Sequence, residues 1–190
     1  MEKSFNIQNT KLVIKVGDLL LEEVDAIVNP ANQKCLGGGG VDGKIHKAAG
    51  PKLLEECQNI PEIKPHVRVL TGNAVITGSY NLPQKHIIHT VGPRYREEAR
   101  EECEKLLYDA YYNALKLAAE KNIKKIAFPA ISTGVYLFPL KEAQEIAIKA
   151  IQDFITKENQ LEEVRLVYIR EVDANIGAHA AERILTFQPE

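Results

Sequence analysis

The stretch that decides the fold runs from Val24 to Gly50 and reads V-D-A-I-V-N-P-A-N-Q-K-C-L-G-G-G-G-V-D-G-K-I-H-K-A-A-G. Its apolar run, Asp25 to Asn29, is bounded by turn-forming residues and predicts a short buried strand. Asn32 and the four consecutive glycines Gly37 to Gly40 follow that strand. The segment Ile45 to Ala49 is then typical of a helix, which the next glycine ends. The stretch therefore predicts a strand, a glycine-rich loop and a helix in succession.

The four glycines indicate a place where a ligand approaches the main chain. Glycine loses more backbone entropy on folding than any other residue, so a run of four requires a physical reason. Bare main-chain N–H groups that lead into a helix N-terminus form a concave site for an anion. The sequence therefore predicts that the glycines bind a phosphate, with Asn32, Asp42 and His46 beside it.

Three other interpretations of the glycine run compete with this one. A flexible loop remains an alternative, although the position between a buried strand and a helix argues against it. Gly38, Gly40 and Gly43 match G-x-G-x-x-G, but a dinucleotide site needs them directly after the strand and before a long helix. A nucleotidase-type phosphate loop needs Ser or Thr after Lys44, where this chain has Ile45.

The composition is that of an ordinary globular protein. The chain has 190 residues, of which 45% are hydrophobic and 26% charged, enough to form one domain with a sizeable core. A net charge of −2 offers no broad basic surface for nucleic acid or membrane. Three cysteines without a C-x-x-C pattern favour a reducing cytoplasm. We see no signal segment, and no apolar run approaches the roughly 20 residues that span a bilayer.

Strands and helices alternate along the chain, which predicts a three-layer α/β sandwich. The predicted strands cover residues 11–16, 25–29, 67–77 around a turn at 71–73, 85–91, 125–129 and 163–169. The predicted helices cover residues 45–49, 53–58, 97–121, 139–156 and 174–185. His86 and His89 lie three residues apart on a strand, so they point to opposite faces and are predicted to be packing residues.

A second loop of small residues, Ala130 to Tyr136, also follows a strand and precedes a helix. Ligands of open α/β sheets bind outside the carboxyl ends of strands. Two phosphate-type loops at one such rim predict a ligand that contains a diphosphate. Asp18 follows another strand; it either caps the helical turn after it or accepts a hydrogen bond from a ligand amino group.

Five motifs together resemble the macro domain family, and most closely its MacroD-like class. They are N-P-A-N at 29–32, G-G-G-G-V-D-G-x-I-H-x-A-A-G at 37–50, T-G-N-A-V-I-T-G-S-Y-N-L-P at 71–83, H-T-V-G-P at 89–93 and I-S-T-G-V-Y at 131–136. The resemblance runs from about Lys11 to Leu185. It implies a single macro domain over residues 1–190, with its core at about 11–185. It also implies a mixed, mostly parallel six-stranded sheet flanked by helices, an α/β/α sandwich.

The resemblance further implies an ADP-ribose pocket. Asp18 would hold the adenine amino group, with the backbone of Leu19 nearby. Asn32 and Asp42 would lie at the distal ribose, which the ring of Tyr136 would shelter. The two phosphate loops would be formed by Gly39, Gly40 and Val41 and by Ser132, Thr133, Gly134, Val135 and Tyr136.

Members of this class remove acyl groups that are esterified to ADP-ribose. The implied substrates are O-acetyl-ADP-ribose and proteins mono-ADP-ribosylated on aspartate or glutamate, with nucleic acid expected only as an ADP-ribosylated substrate. As a hypothesis, Asp42 deprotonates a water or a ribose hydroxyl while Asn32 orients the ribose. His46 either assists or is a polar core residue at the helix start. No metal, cofactor or membrane contact is expected.

The alternative function is a non-catalytic module that only reads ADP-ribose, and the pair Asn32 and Asp42 favours the hydrolase. Two departures from the family pattern concern the pocket. Relatives often stack an aromatic residue on adenine from the segment after the last strand, but residues 170–176 contain none, which leaves Arg170 or Ile176 as the substitute. Arg94 and Tyr95 follow Gly-Pro where a tryptophan is common.

Overall fold

The structure, a computed structural model, describes residues 1–158 and 160–186. Its strands are β1 Glu2–Ile7, β2 Thr10–Val16, β3 Ala26–Pro30, β4 Ala74–Gly78, β5 His86–Thr90, β6 Lys125–Phe128 and β7 Glu163–Tyr168. Its α-helices are α1 Gly40–Ala49, α2 Pro51–Gln58, α3 Arg100–Glu120, α4 Leu140–Lys157 and α5 Glu171–Thr186. Short 3₁₀ turns occupy Leu19–Leu21 and Glu97–Ala99.

All these strands belong to one sheet with the order β1-β2-β7-β6-β3-β5-β4. The five central strands run parallel, whereas the edge strands β1 and β4 run antiparallel to their neighbours. The carboxyl ends of β2, β7, β6, β3 and β5 therefore lie along one rim in that order. Three strand spacings, about 14 Å, separate the end of β2 from the end of β3.

Two hydrophobic cores cover the two faces of the sheet. One packs α3, α4 and α5 against side chains such as Val28, Ile88 and Phe128. The other packs α1 and α2 against the opposite face of the sheet. Ile27 and Ile87 on that face are the neighbours in sequence of Val28 and Ile88. This alternation of period two confirms the predicted layered α/β architecture.

The prediction of a six-stranded sheet is wrong by one strand, because the described residues form a seven-stranded sheet. The additional strand, β1, pairs with β2 from Glu2↔Lys15 to Ile7↔Thr10. Only Ile7 of β1 is buried, so the segment has no apolar run that would predict a strand. The predicted strand pair at 67–77 is also wrong in its first half. There the main chain bonds to Gln33 and to residues 63–64, and a strand begins only at Ala74.

The helix after the glycine run begins at Gly40, five residues before the predicted start. Glycine is a poor helix former, so the sequence pattern hides this first turn. Asp42 therefore lies on the first turn of α1, not in a loop. Among the described helices, none is both long enough and apolar enough to cross a membrane.

Candidate functional site

The loops that follow β3, β6 and β5 meet at the rim of the sheet. β3 lies between β6 and β5 and runs parallel to both. A Cβ atom placed on Gly92, after β5, would lie 2.1 Å from Ser132 Oγ and 2.6 Å from Ile131 Cγ2. Only glycine at position 92 therefore permits this approach of the β5 and β6 loops.

The four consecutive glycines fall into two pairs with different surroundings. A Cβ atom on Gly37 would lie 3.3 Å from the ring of His46, and one on Gly38 would lie 3.1 Å from Asp42 Oδ2. Gly39 and Gly40 have no protein atom within 4 Å of a Cβ atom in that position. The first pair therefore packs against the protein, while the second borders open space.

Main-chain N–H groups at this open end are available to an anion. Gly39 is the N-cap of α1 and makes no side-chain capping hydrogen bond. Among the described residues, no backbone acceptor takes the N–H of Gly38 or Gly39. The first-turn N–H groups and the helix dipole add positive potential at the same point. This end of α1 has the chemistry of a phosphate site.

Asp42 lies directly behind that open end. Its side chain is buried, and its Oδ1 accepts a hydrogen bond of 2.8 Å from Asn29 Nδ2. His46, one helical turn later, holds Nε2 3.5 Å from the same oxygen. Burial raises the pKa of the Asp42 carboxyl, whereas the Asn29 hydrogen bond and His46 oppose that rise. Asp42 Oδ2 remains on the side of Gly38.

A chain of buried polar groups supports Asp42 from behind. Asn29 and His89 are partners in the register of β3 and β5. Asn29 Nδ2 lies 2.9 Å from His89 Nδ1, and His89 Nε2 lies 2.8 Å from Thr77 Oγ1. Thr77 Oγ1 in turn donates to the carbonyl of Gly78 at 3.0 Å.

The direction of these hydrogen bonds follows from the carboxylate. An ionised carboxylate only accepts, so Asn29 turns its amide nitrogen towards both Asp42 and His89. His89 Nδ1 therefore accepts, and its proton sits on Nε2, where it donates to Thr77. Burial lowers the pKa of His89 to about 3, which keeps the ring neutral.

The side chain of Asn32 forms two hydrogen bonds with the main chain of the glycine-rich loop. Its Nδ2 donates to the carbonyl of Gly37 at 3.3 Å, and its Oδ1 accepts from the N–H of Cys35 at 3.2 Å. A Cβ atom on Gly38 would lie 3.2 Å from Asn32 Nδ2. The side chains of Asn32 and Asp42 thus both approach Gly38.

The loop after β6 borders the same rim. Ser132 is buried with a φ of 65°, and Thr133 Oγ1 donates to the carbonyl of Ala130 at 3.0 Å. Val135 is exposed at the tip of the loop. The carbonyl of Tyr136 accepts from the N–H of Tyr95 at 2.8 Å.

Asp18 and Leu19 lie at the other end of the rim. Asp18 Oδ1 accepts from the N–H of Leu20 at 3.0 Å, so the capping role is present. Leu19 is buried beneath the turn. Beside them, after β7, residues 169–172 are exposed. They include the aliphatic Ile169 and Val172 next to Arg170, and none of them is aromatic.

A cluster of thiols and imidazole lies behind Asp42, formed by Cys35, Cys57 and His89. Their ligand atoms lie within 4.8 Å of one another. Nδ1 of His89 accepts from Asn29 and Nε2 donates to Thr77, so neither nitrogen has a free lone pair for a metal. The cluster in this arrangement is a buried packing contact.

The family assignment rests on a match over most of the chain. The macro domain family model matches residues 28–147. The chain belongs to the macro domain family. That match includes both the glycine run with α1 and the loop after β6.

Individual relatives of this macro domain agree in length and fold. It is 47% identical over 179 residues to the O-acetyl-ADP-ribose deacetylase of Escherichia fergusonii, covering 94% of this chain and 97% of the relative. A Klebsiella pneumoniae protein of the same name is 49% identical over 161 residues, covering 85% and 90%.

Solved macro domain structures are similar as well. The Oceanobacillus iheyensis macrodomain with ADP has a TM-score of 0.92 at 40% identity, covering 98% of this chain and 97% of that one. The Trypanosoma brucei macrodomain in complex with ADP-ribose has a TM-score of 0.79 at 34% identity, covering 90% and 68%.

Sequence reasoning missed the supporting residues Asn29, His89 and Thr77. His89 was predicted as a packing residue, and it is buried, but it also bonds to Asn29 and Thr77. A signal did exist, because Asn29 and Ile27 share one strand face, and a polar residue on a buried face needs a partner.

Proposed function

We propose that this macro domain hydrolyses ester-linked ADP-ribose. It would remove acetate from O-acetyl-ADP-ribose and release mono-ADP-ribose from aspartate or glutamate side chains of proteins. Relatives named O-acetyl-ADP-ribose deacetylase at 47% and 49% identity support this reaction. The observation that carries it is Asp42, a buried carboxyl whose Oδ2 lies beside Gly38, next to the open Cβ positions of Gly39 and Gly40.

The proposed ligand would lie along the rim in the order of the strands. Its adenine would lie at Asp18 and Leu19, beside the aliphatic side chains that follow β7. The diphosphate would bind the N–H groups of Gly39, Gly40 and Val41 and of the facing loop formed by Ser132, Thr133, Gly134, Val135 and Tyr136. The distal ribose would then reach Asn32 and Asp42. The separation of about 14 Å between the ends of β2 and β3 supports this extended placement.

Asp42 acts in this proposal as the base. Its Oδ2 accepts a proton from a water, whose oxygen attacks the acyl carbon of the ester. The bond from that carbon to the ribose oxygen breaks, and the ribose oxygen takes up the proton that Asp42 accepted. This leaves a free carboxylic acid, ADP-ribose and an ionised Asp42. Burial raises the pKa of Asp42, which makes its carboxylate a stronger base. A positioned base contributes about 10²–10⁴-fold to the rate.

Asn32 and His46 have supporting roles in the proposed reaction. Asn32 would orient the ribose hydroxyls, since its amide both donates and accepts. His46 lies 3.5 Å from Asp42 Oδ1 and packs against Gly37. Its place beside the carboxylate supports a part in setting the charge of Asp42.

The proposed site of action is the cytoplasm, and the proposed partners are ADP-ribose, its acetyl ester and ADP-ribosylated proteins. Cys35, Cys57 and Cys103 are free, buried thiols, which supports a reducing compartment. Nucleic acid would enter only as an ADP-ribosylated substrate.

The test compares Asp42→Asn with the wild-type protein on O-acetyl-ADP-ribose and on a peptide esterified to ADP-ribose. We expect kcat to fall about 10²–10⁴-fold while ADP-ribose affinity, measured by calorimetry, stays within about threefold. Wild-type turnover by the variant would remove Asp42 from the chemistry. Absence of turnover by the wild type on both esters, with ADP-ribose bound, would favour the reader module instead.

A further inference from the structure

A cavity of about 790 Å³ adjoins the proposed ribose site. It lies between the loops after β3 and β5 and the first turns of α3. Asn32 and Tyr136 form part of its wall, while Asp42 does not line it. The cavity is therefore a neighbouring space that shares one wall with the ribose site.

The charged side chains around this cavity are mainly basic. Lys34, Arg94 and Arg96 line it together with His66, against one carboxylate, Glu102. Glu102 pairs with Arg96 at 3.3 Å. Among the described residues, no carboxylate forms a salt bridge with Lys34 or Arg94. A protein with a net charge of −2 thus concentrates unpaired positive charge at this cavity.

Arg94 is the basic residue with the most defined position. Its guanidinium carbon lies 5.1 Å from the centre of the Tyr136 ring. The main chain holds the two residues together, because the N–H of Tyr95 donates to the carbonyl of Tyr136 at 2.8 Å. A stacked guanidinium keeps its N–H donors free at the edge, in a geometry that matches a carboxylate.

We infer that this cavity binds the polypeptide that carries the ADP-ribose ester and that it selects acidic residues next to the modified side chain. The inference rests on the proposed function. If the ester lies on the distal ribose between Asn32 and Tyr136, its acyl carrier lies next to this cavity and can extend into it. Lys34 and Arg94 would then meet the carboxylates that flank the modified residue.

A peptide fits the cavity better than a nucleic acid does. Single strands bind on grooves that combine positive charge with several aromatic side chains. Among the described residues that line this cavity, Tyr136 has the only phenolic or phenyl ring, and Arg94 already covers it. A volume of about 790 Å³ is that of a pocket for a few side chains, not of an extended groove.

The experiment compares two synthetic peptides that carry ADP-ribose on the same glutamate. One has aspartate and glutamate at the flanking positions, and the other has asparagine and glutamine there. At low salt we expect kcat/KM for the acidic peptide to be about tenfold higher, and this ratio to approach one near 0.5 M salt, where about 4 Å of screening length remains. O-acetyl-ADP-ribose, which has no flanking residues, serves as the internal reference.

Charge-reversal variants assign the selection to the cavity. Arg94→Glu and Lys34→Glu should each lower the acidic-to-amide ratio about threefold or more, since each reversed charge changes one exposed ionic contact. The matched control is Lys116→Glu, an exposed lysine on α3, about 15 Å along the helix from Leu106. It should leave the ratio unchanged.

Failure of the inference and failure of the proposed function give different results. Turnover of O-acetyl-ADP-ribose with equal rates for the two peptides would overturn the inference alone. No turnover of any ester would overturn the proposed function. In that event, the affinities of Asp42→Asn for the two intact peptides test the inference, and equal affinities would reject it. Preference for an ADP-ribosylated oligonucleotide over the acidic peptide would also reject it.

Discussion

The buried and open sides of the first turn of α1 are built in opposite ways. Behind Asp42, side chains from three strands, Asn29, His89 and Thr77, bond to one another. In front of it, Gly39 and Gly40 offer only main chain, with no protein atom near their Cβ positions. Protein side chains complete the buried side, whereas the proposed ADP-ribose would complete the open side. Substitutions behind Asp42 should therefore change stability, rate and pH dependence, and substitutions in front should change affinity.

The largest effect should come from His89 and concern stability in acid. Its pKa is lowered to about 3 from 6.5, mainly by burial. As the pH falls, His89 is therefore protonated near pH 6.5 in the unfolded chain, but only near pH 3 in the folded protein. The stability that neutral His89 contributes is complete above pH 6.5 and is lost as pH falls towards 3, by about 1.4 kcal/mol per pH unit.

Urea denaturation between pH 7 and pH 4 measures this contribution. His89→Gln should lower the free energy of unfolding at pH 7. It should also make the dependence of that free energy on pH less steep, by about 1.4 kcal/mol per pH unit. The control is His179→Gln, because His179 is exposed on α5 and should leave the slope nearly unchanged. Equal slopes for the wild type and His89→Gln would contradict a neutral buried ring.

The next effect separates two glycines of the same segment. A Cβ atom on Gly43 would lie 2.5 Å from the carbonyl oxygen of Gly38, a backbone atom that cannot turn away. Helix propensity alone predicts that Gly43→Ala stabilises α1. We expect a loss of up to about 3 kcal/mol instead, because the contact overpacks the loop against the helix.

Gly39→Ala is the matched control for that substitution. Gly39 has a φ of −90° and open space at its Cβ position, so stability should change by less than about 0.5 kcal/mol. ADP-ribose affinity should fall, since the added methyl group enters the proposed phosphate site. Thermal melts and calorimetry on both variants check this. A stable Gly43→Ala protein together with an unstable Gly39→Ala protein would reverse the assignment of the two sides.

The sequence predicted the open side far better than the buried side. Asn32, Asp42 and the glycines are close in sequence, so their order alone brings them to one loop and one helix. Asn29 and His89 are 60 residues apart and meet only because Ala26↔His86 sets the register of β3 against β5. Spacing along the chain contains no information on that register.

The fold was also predictable in part, where an element has a clear hydrophobic pattern in the sequence. Buried central strands such as β5 and β6 appear in the sequence as apolar runs, and the structure has strands there. β1 was missed because its side chains are mostly exposed. The early start of α1 was missed because Gly40 and Gly43 are poor helix formers. Gly40 has a φ of 59° and open space at its Cβ position, while Gly43 packs against the carbonyl of Gly38.

A smaller effect should follow from Asn29→Ala and appear in kcat. The substitution removes the donor that holds Asp42 Oδ1 at 2.8 Å and leaves His89 Nδ1 unpaired. We expect kcat to fall about tenfold to a hundredfold, equivalent to about 1–3 kcal/mol, with little change in ADP-ribose affinity. The rise in activity with pH should also move to higher pH, because Asn29 lowers the pKa of Asp42.

Steady-state kinetics from pH 4 to pH 8 separate positioning from general damage to the fold. Asn113→Ala is the control, since Asn113 Nδ2 also donates at 2.8 Å, to the carbonyl of Gly72, outside the site. It should leave both kcat and the pH profile unchanged. A loss of affinity equal to the loss of kcat in Asn29→Ala would mean that Asn29 only maintains the pocket.

The smallest effect is a gain of stability in Asp42→Asn. Burial raises the pKa of Asp42 in the folded protein, so its contribution to stability is complete at low pH and is lost as pH rises through the folded-state pKa. At pH 7 the ionised carboxylate therefore destabilises the fold, and an amide that still accepts from Asn29 should relieve this by about 1 kcal/mol or less. The gain in Tm should shrink towards acid pH, because protonation of Asp42 in the wild type removes the penalty. For His89, by contrast, acid pH lowers the stability of the wild type. A variant that is less stable at pH 7, or equally stabilised at every pH, would show that the carboxylate is not strained by burial. Burial of the ionised Asp42 would then not lower the stability of the ligand-free protein.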